Sequence, residues 1–394
     1  MDHVKATGRF AVVSREFGGT RSAAHEGRRY FGSGFLLVFA SLLVLPEGVR
    51  AGTWPEYQSQ GSFQLPIGAD IFDVLRDGRI IVLVNENVHV ESAVRSRSFG
   101  LHGVLPDAPP LEFPSFLRVS PDGLLIAVGD GVGQVGVFNI ASLTGRWINA
   151  AHYEAEWFDN RHLTLTGAVG GSVTLLDTQS PDAMNPTNAT IIVNKGIPGG
   201  VAFDADFNLF TGNGFSDSGP ILTGDIKRFS NAAWMSAWSG GTPLNFISDG
   251  ILVVNVLSAA SLGFDPRGNL HAGGGDFLAG TELDFAAVVR SSALFDAVNG
   301  MGPVDVDDPD RVQRLDPDVP NDFDFYSVTF NVVTQEMYVQ NFGESTAYAY
   351  VNVAIVPAAS AWGLLAFSLL LITSGSLLVR TEERRRSVCR SASA

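Results

Sequence analysis

Cysteine is almost missing from this chain: Cys389, near the C-terminus, is the only one in 394 residues. A disulfide framework is thereby excluded, and a protein exported from the cell would rely on its core or on bound ions instead of covalent staples. Charge is sparse as well, at 17% Asp, Glu, Lys and Arg, and what there is leans acidic, with a net of −15. Residues 1–51 hold seven Lys/Arg against four Asp/Glu and residues 358–394 hold five against two, so the stretch between carries 14 basic and 35 acidic residues. Such a surface repels nucleic acid and favours cations or basic partners. The familiar catalytic signatures are missing too. There is no Gly-x-Ser-x-Gly elbow and no cysteine nucleophile, and the glycine-rich GAVGGS (167–172) has neither a following helix nor a Lys-Ser/Thr pair. Beyond residue 51 the histidines are His89, His102, His152, His162 and His271, none in His-x-His or His-Glu-x-x-His spacing. A zinc or copper site would need side chains brought together from distant segments, and His162 and His271 read as structural residues on strands. No catalytic residue is assigned.

Glycine is plentiful, at 43 residues with 19 prolines, and apolar residues make up 45% of the chain. From Trp54 to about Asn352, short apolar runs alternate with Gly, Asp, Asn and Pro, the pattern of consecutive antiparallel strands. One phrase recurs: FDADFNLFTG (203–212) returns as FDPRGNLHAG (264–273), with Phe, Asp, Asn, Leu and Gly at the same offsets. Looser echoes place the start of a second strand at Ile80, Leu125, Leu163, Leu209, Leu270 and Met337, separated by 45, 38, 46, 61 and 67 residues. The shorter spacings suit four-stranded propeller blades; the two longer ones leave room for loop insertions at Ser230–Asp249 and Asp305–Asp324. A third strand follows in every unit, at 88–91, 135–140, 173–177, 226–229, 286–289 and 348–353. The pattern predicts an all-β chain, a β-propeller of six blades with seven as the alternative. SFQLPI (62–67) is expected to be the outer strand of the last blade and to close the ring against 348–353.

The signature VAFDADFNLFTGNG (201–214) resembles the hairpins of six-bladed propellers of the NHL and gluconolactonase-like kind. That resemblance implies a ring fold and raises a metal-dependent hydrolase or lyase, lactonase-like, as one function. Enzymes of the gluconolactonase type hold a metal through Glu, Asn and Asp from separate blades, and no matching Glu aligns here. Asp204, Asp206 and Asn208 have a plain use in turns, where Asp and Asn bond nearby backbone N–H groups, with calcium ligation as the alternative. The densest acidic run places Asp305, Asp307, Asp308 and Asp310 within one loop, a candidate calcium site that departs from the EF-hand by Pro309 and by lacking the glycine and the closing Glu. A solvated acidic loop is the other reading. Calcium is the only cofactor the sequence brings up.

The two ends speak of destination. Residues 1–34 are polar and basic, with Arg28 and Arg29 ahead of the apolar run 35–45, Pro46, Gly48 and a Val49-Arg50-Ala51 site; this is a signal-peptide layout with cleavage after Ala51. At the other end an apolar run from Trp362 to Val379 is about long enough to span a bilayer, and Arg380, Arg384, Arg385 and Arg386 follow it. The segment VPAASAWG (356–363) before that run, the run and the arginines together resemble the C-terminal sorting tail of the PEP-CTERM class in its IPTL-type variant. Val356, Pro357, Ser360, Trp362 and Gly363 match its motif, while Ala358, Ala359 and Ala361 depart from it. The resemblance implies a bacterial envelope protein and an exosortase-like sorting peptidase as partner; a plain membrane anchor is the alternative.

The expected organisation is thus a signal peptide over 1–51, a propeller over 52–353 and a sorting or transmembrane segment over 354–394. The expected function is that of an exported, surface-anchored or surface-sorted propeller, a binding or scaffold protein whose ligand, polysaccharide or protein stays open. Mass spectrometry of the mature chain from its native host should show an N-terminus at Gly52 and a C-terminus within residues 357–362. An intact tail ending at Ala394 would leave the simple anchor, and an uncleaved N-terminus would overturn the signal peptide.

Overall fold

The computed structural model describes residues 57–352 except 70, 112–113, 132, 168–170, 181–188, 215–223, 257, 276–284, 316–325 and 342–343. Ala51, the segment 356–363, the span 362–379 and Arg380 to Arg386 lie outside the described residues. Among the described residues, no helix is long and apolar enough to cross a membrane.

The strands form six sheets of four or five strands each, and consecutive sheets follow consecutive stretches of chain. Strand β1 (Tyr57–Gln64) comes first in sequence and belongs to the last sheet. Blade 1 is β2 (Ile71–Val74), β3 (Ile80–Val84), β4 (Asn87–Glu91) and β5 (Phe99–Val104); blade 2 is β6 (Leu117–Val119), β7 (Leu125–Gly129), β8 (Gln134–Asn139) and β9 (Gly145–Asn149). Blade 3 is β10 (Glu154–Trp157), β11 (His162–Thr166), β12 (Val173–Asp177) and β13 (Ala189–Val193). Blade 4 is β14 (Val201–Phe203), β15 (Leu209–Thr211), β16 (Ile226–Phe229) and, after an excursion through α1 (Asn231–Trp238), β17 (Leu244–Asn245) and α2 (Phe246–Asp249), β18 (Ile251–Asn255). Blade 5 is β19 (Ser261–Phe264), β20 (Leu270–Gly274), β21 (Phe285–Val289) and, beyond α3 (Ser291–Asp296) and β22 (Val304–Asp305), β23 (Val312–Arg314). Blade 6 is β24 (Tyr326–Asn331), β25 (Glu336–Asn341) and β26 (Thr346–Asn352), completed by β1. The blade count is six.

The apolar runs are continuous because each strand buries both faces. Ile80 and Val82 pack toward blade 6 with Tyr338 and Ala349, whereas Ile81 and Leu83 pack toward blade 2 with Leu117 and Ile126. Six hydrophobic clusters result, one in each interface between neighbouring blades. The repeated phrase makes the hairpin between the first and second strand of a blade. Asp204 Oδ1 accepts the N–H groups of Asp206 and Asn208, and Asp265 Oδ1 accepts those of Arg267 and Asn269, all at 2.8–3.0 Å. Asn208 and Asn269 each donate Nδ2 to that aspartate at 2.8 Å. Each then accepts, through Oδ1, the first N–H of a helix, at Asn231 or Ser291. These residues are therefore used as turn and helix-entry locks. The turn bends through a left-handed residue two places before the second strand's marker position: Gly78, Gly123 and Gly268, and in two blades Phe207 (φ 57°) and Gln335 (φ 58°).

Closure occurs as expected, with an earlier strand. The register runs from Tyr57↔Asn352 to Gln64↔Thr346, so the outer strand is 57–64 and not 62–67. Leu65 adds one more bond, donating to Ser345 O at 2.9 Å, and Pro66, which has no N–H, ends the ladder. The two long spacings hold more than loops. Ser230–Asp249 contains both α1 and α2, because Ser230 and Asn245 cap helices and Trp234 and Phe246 bury against the blade interface. The acidic stretch from Asp305 holds an outer strand of blade 5, since Val312 is needed in the core. Two short strands, β17 and β22, add in parallel to the outer edges of blades 3 and 4.

A side-chain clasp secures the closure: Gln313 accepts the Tyr57 N–H at 3.0 Å and donates to the Tyr57 carbonyl at 2.6 Å, tying blade 5 to the closing strand. Gln313→Ala removes both of these buried bonds and should cost about 2 kcal/mol, a fall of about 4 °C in Tm. An unchanged melting curve would show that closure does not depend on this clasp.

Candidate functional site

The inner strands β2, β6, β10, β14, β19 and β24 surround a central channel. Register places Asp73, Val119, Glu156, Ala202, Gly263 and Thr329 at one level, each opposite the second residue from the marker in its neighbouring strand. Large side chains stand on one side of this ring and Ala202 and Gly263 on the other. A cavity of about 610 Å³ opens there, lined by these six and by Arg118, Trp157, Phe203, Phe264, His271 and Phe330, among others. A Cβ built on Gly263 would meet no atom within 4 Å, so the wall at blade 5 is hollow.

Arg118, Asp73 and Glu156 at the lining belong to a charge cluster of one cation and three acids, completed by Glu154. Arg118 donates Nε to Ala155 O at 3.0 Å and Nη1 to Leu117 O at 2.9 Å, while Nη2 meets Glu154 Oε1 at 2.8 Å. Glu156 Oε2 lies 3.9 Å from Arg118 Nε. Asp73 accepts the N–H of Val119 at 2.6 Å and that of Val74 at 2.8 Å, which ties blade 1 to blade 2. Glu154 and Glu156 each accept the N–H of the following residue, Ala155 or Trp157. Burial pushes the carboxyls of Glu154 and Glu156 up to about 7 against the pull of Arg118, and for Glu156 the neighbouring Asp73 and Glu154 push further. Asp73 is raised as well, by burial, with Arg118 opposing. The Glu156 side chain is 30% accessible, through the channel. A strongly displaced titrating group in a cleft is where function concentrates.

His271 forms the opposite wall. Tyr57 donates its one hydroxyl proton to Asp265 Oδ2 at 2.8 Å, and His271 Nε2 lies 3.1 Å from the same hydroxyl oxygen. Nε2 therefore carries the ring proton and Nδ1 is a bare acceptor, buried and without a hydrogen-bond partner. Burial, with Asp265 opposing, holds the ring down to about 4, so it is neutral.

The acidic run stands elsewhere. Asp305 and Asp308 accept the N–H groups of Asp307 and Asp310 at 3.0 Å, Asp307 pairs with Arg314 at 2.9 Å, and Asp308 lies 3.6 Å from Arg311. The structure spends these carboxylates on turns and arginines. Among the described residues, no group of three or more His, Cys, Asp or Glu side chains could hold a metal. A channel metal of the gluconolactonase type does not fit either. Both carboxylate oxygens of Asp73 are taken by N–H groups, Asn331 donates to Gly78 O and Tyr338 Oη while accepting from Val333 and Thr334, and a guanidinium already sits among the acids.

Histidine was visible to sequence reasoning; Asp73, Arg118, Glu154 and Glu156 were not singled out. Their signal is a charged residue inside a short first strand, as in IFDV, LRV and EAEW, where a strand with both faces packed against neighbouring blades has only the channel left for a charge.

The raised carboxyls fix a pH dependence. An unfolded chain releases these protons near 4.5, whereas the folded ring keeps them to about 7, so this contribution to stability is complete below 4.5 and is lost as pH rises through 7. His152 and His271, both held down by burial, act in the opposite sense below 6.5. The informative comparison is therefore with Glu154→Gln, which should gain Tm relative to the native chain from about pH 5 to about pH 8. A constant difference would show that Glu154 carries no displaced proton.

No protein-family model matches the chain, and no curated protein matches it in sequence. Among solved structures, it is similar to a chain of the mitotic checkpoint complex at 13% identity and TM-score 0.45, over 86% of this chain and 99% of that one. It is similar to the PQQ domain of pyranose dehydrogenase from Coprinopsis cinerea at 10% and 0.48, over 75% and 98%, and to virginiamycin B lyase from Staphylococcus aureus at 9% and 0.43, over 75% and 99%. At these identities and scores nothing about ligand or chemistry passes from those proteins to this one.

Proposed function

We propose that this chain is an exported binding protein of a bacterial envelope whose propeller takes a small molecule into the central cavity. The supporting observation is the cavity itself: about 610 Å³, within the roughly 300–1,000 Å³ usual for small-molecule sites, with a few convergent polar groups set among apolar walls. Rigidity comes from the closed ring, so the walls are preorganised and little ordering is needed on binding. Glu156, displaced toward neutrality and reached through the channel, could also transfer a proton, but no metal donor set accompanies it among the described residues. Export through the leader ending at Ala51, and retention or sorting through residues 356–386, belong to the same proposal. They would put the cavity outside the cytoplasm.

The test uses the open wall. Gly263→Phe starts from a Cβ position that meets no atom within 4 Å, directs a ring into the cavity and should leave Tm within a few degrees of the native value. Full-length chains of both kinds, purified from the native host in detergent, are denatured and the released small molecules compared by mass spectrometry. A compound released by the native chain and missing from Gly263→Phe is expected. Identical profiles would overturn the cavity as the binding site.

A further inference from the structure

The lining of the cavity also specifies what it accepts. Its accessible charged acceptor is a carboxylate. Glu156 offers Oε2, accessible through the channel and 3.9 Å from Arg118 Nε, Asp73 adds a second carboxylate whose oxygens are held by N–H groups, and His271, with its unpartnered Nδ1 buried, lines the opposite wall. Thr329 adds a hydroxyl that can donate or accept, and the other donors nearby are largely engaged. Arg118 is divided among Ala155 O, Leu117 O and Glu154, Ser120 Oγ donates to Asp122, and Asn331 Nδ2 donates to Gly78 O and Tyr338 Oη. Arg76 stands at the exposed rim, with Nη1 on Asp122 O at 3.4 Å. Charge points the same way: three carboxylates crowd one guanidinium, and another cation would relieve them. Around the acids stand the partly buried rings of Phe203, Phe264 and Phe330, and aromatic faces attract cations.

We propose that the cavity receives a small organic ammonium compound, its charged nitrogen donating to Glu156 and its apolar part lying against Phe203, Phe264 and Phe330. This rests on the reading of the cavity as a ligand site and adds the ligand's chemistry. An anion would be set against Glu156 and Asp73, and a neutral apolar molecule would leave the Glu156 acceptor unpaired. Binding has a proton cost: Glu156 shares its proton between solvent and site under the influence of Asp73, Glu154 and Arg118, with His271 neutral across the channel and Arg76 at the rim. A cation selects the ionised form, so affinity must rise with pH through neutrality and binding must release a proton.

Isothermal calorimetry on the full chain in non-ionic detergent tests this with three probes of matched shape, phenethylammonium, 2-phenylethanol and 3-phenylpropanoate. The ammonium probe should bind about tenfold more tightly at about pH 8 than at about pH 6, with proton release seen as a heat that depends on the buffer. The alcohol should bind at least about tenfold more weakly, and the carboxylate not at all. Glu156→Gln should weaken the ammonium probe and flatten its pH dependence, and Gly263→Phe should abolish it. Equal or tighter binding of the alcohol or carboxylate, lost in Gly263→Phe, would overturn the cation while leaving the cavity a ligand site. No binding of any probe would overturn both. Ammonium binding unchanged in both variants would place it on the acidic outer surface and overturn this proposal.

Discussion

Everything in this molecule depends on burying both faces of every blade. A four-stranded sheet with apolar residues on its two sides is unstable alone, and it becomes stable only when a neighbour covers each side. Six blades in a closed ring meet that condition for all; five would leave two faces bare. The pairing of β1 with β26 is therefore more than a terminal detail, because it completes the blade that covers both blade 1 and blade 5. Polar groups reinforce the same seams. Asn331 reaches from blade 6 to Gly78 in blade 1, Asp73 from blade 1 to Val119 in blade 2, and Arg118 from blade 2 to Ala155 in blade 3. Ser261 and Val328 exchange hydrogen bonds between blades 5 and 6.

Because the apolar clusters sit between blades, the axis of the ring is left without a core. Side chains of the inner strands must either fill that axis or border water, and here they do both. Arg118 and Glu154 lie close to the axis, side by side and nearly inaccessible, while Ala202 and Gly263 leave room on one side for the cavity. A buried ion pair of this kind seldom adds net stability, since desolvating the charges consumes what their attraction returns. Its constancy of geometry is the more useful property: backbone carbonyls of Leu117 and Ala155 fix the guanidinium, and the guanidinium fixes Glu154.

The ring was legible because its signals are local. Asp204 with Asn208, and Asp265 with Asn269, lock turns within five residues of chain, so the repeat shows in the sequence at the offsets where the bonds form. All six third strands lie where the apolar runs place them, and the second strands begin at the marker residues or one place earlier, at His162 and Glu336. The closing strand was displaced because Tyr57–Gly61 carries polar residues on an exposed edge, where no apolar run announces it, and only Tyr57 is buried. Helices α1 and α2 were hidden for a similar reason: eight and four residues are too short to display a period, and their anchors, Trp234 and Phe246, gain their meaning from blade packing. The site was the least legible part. Asp73, Arg118 and Glu156 are separated by tens of residues and meet only because three inner strands converge, which no spacing rule in one sequence encodes.

The acidic run at Asp305–Asp310 shows the converse. Its carboxylates are close in sequence, which made them conspicuous, yet proximity along the chain is satisfied most cheaply by local bonds to backbone N–H groups and to Arg311 and Arg314. The channel acids have the opposite history. Asp73 and Glu156 each bond the N–H of the following residue, and Asp73 also that of Val119 in the next blade, but their surplus charge has no local answer, because Arg118 is shared three ways. Charge that the fold cannot neutralise from within is left for a proton or a visitor. In a ring whose seams are filled and whose axis is open, the channel is where that surplus meets space enough for a ligand.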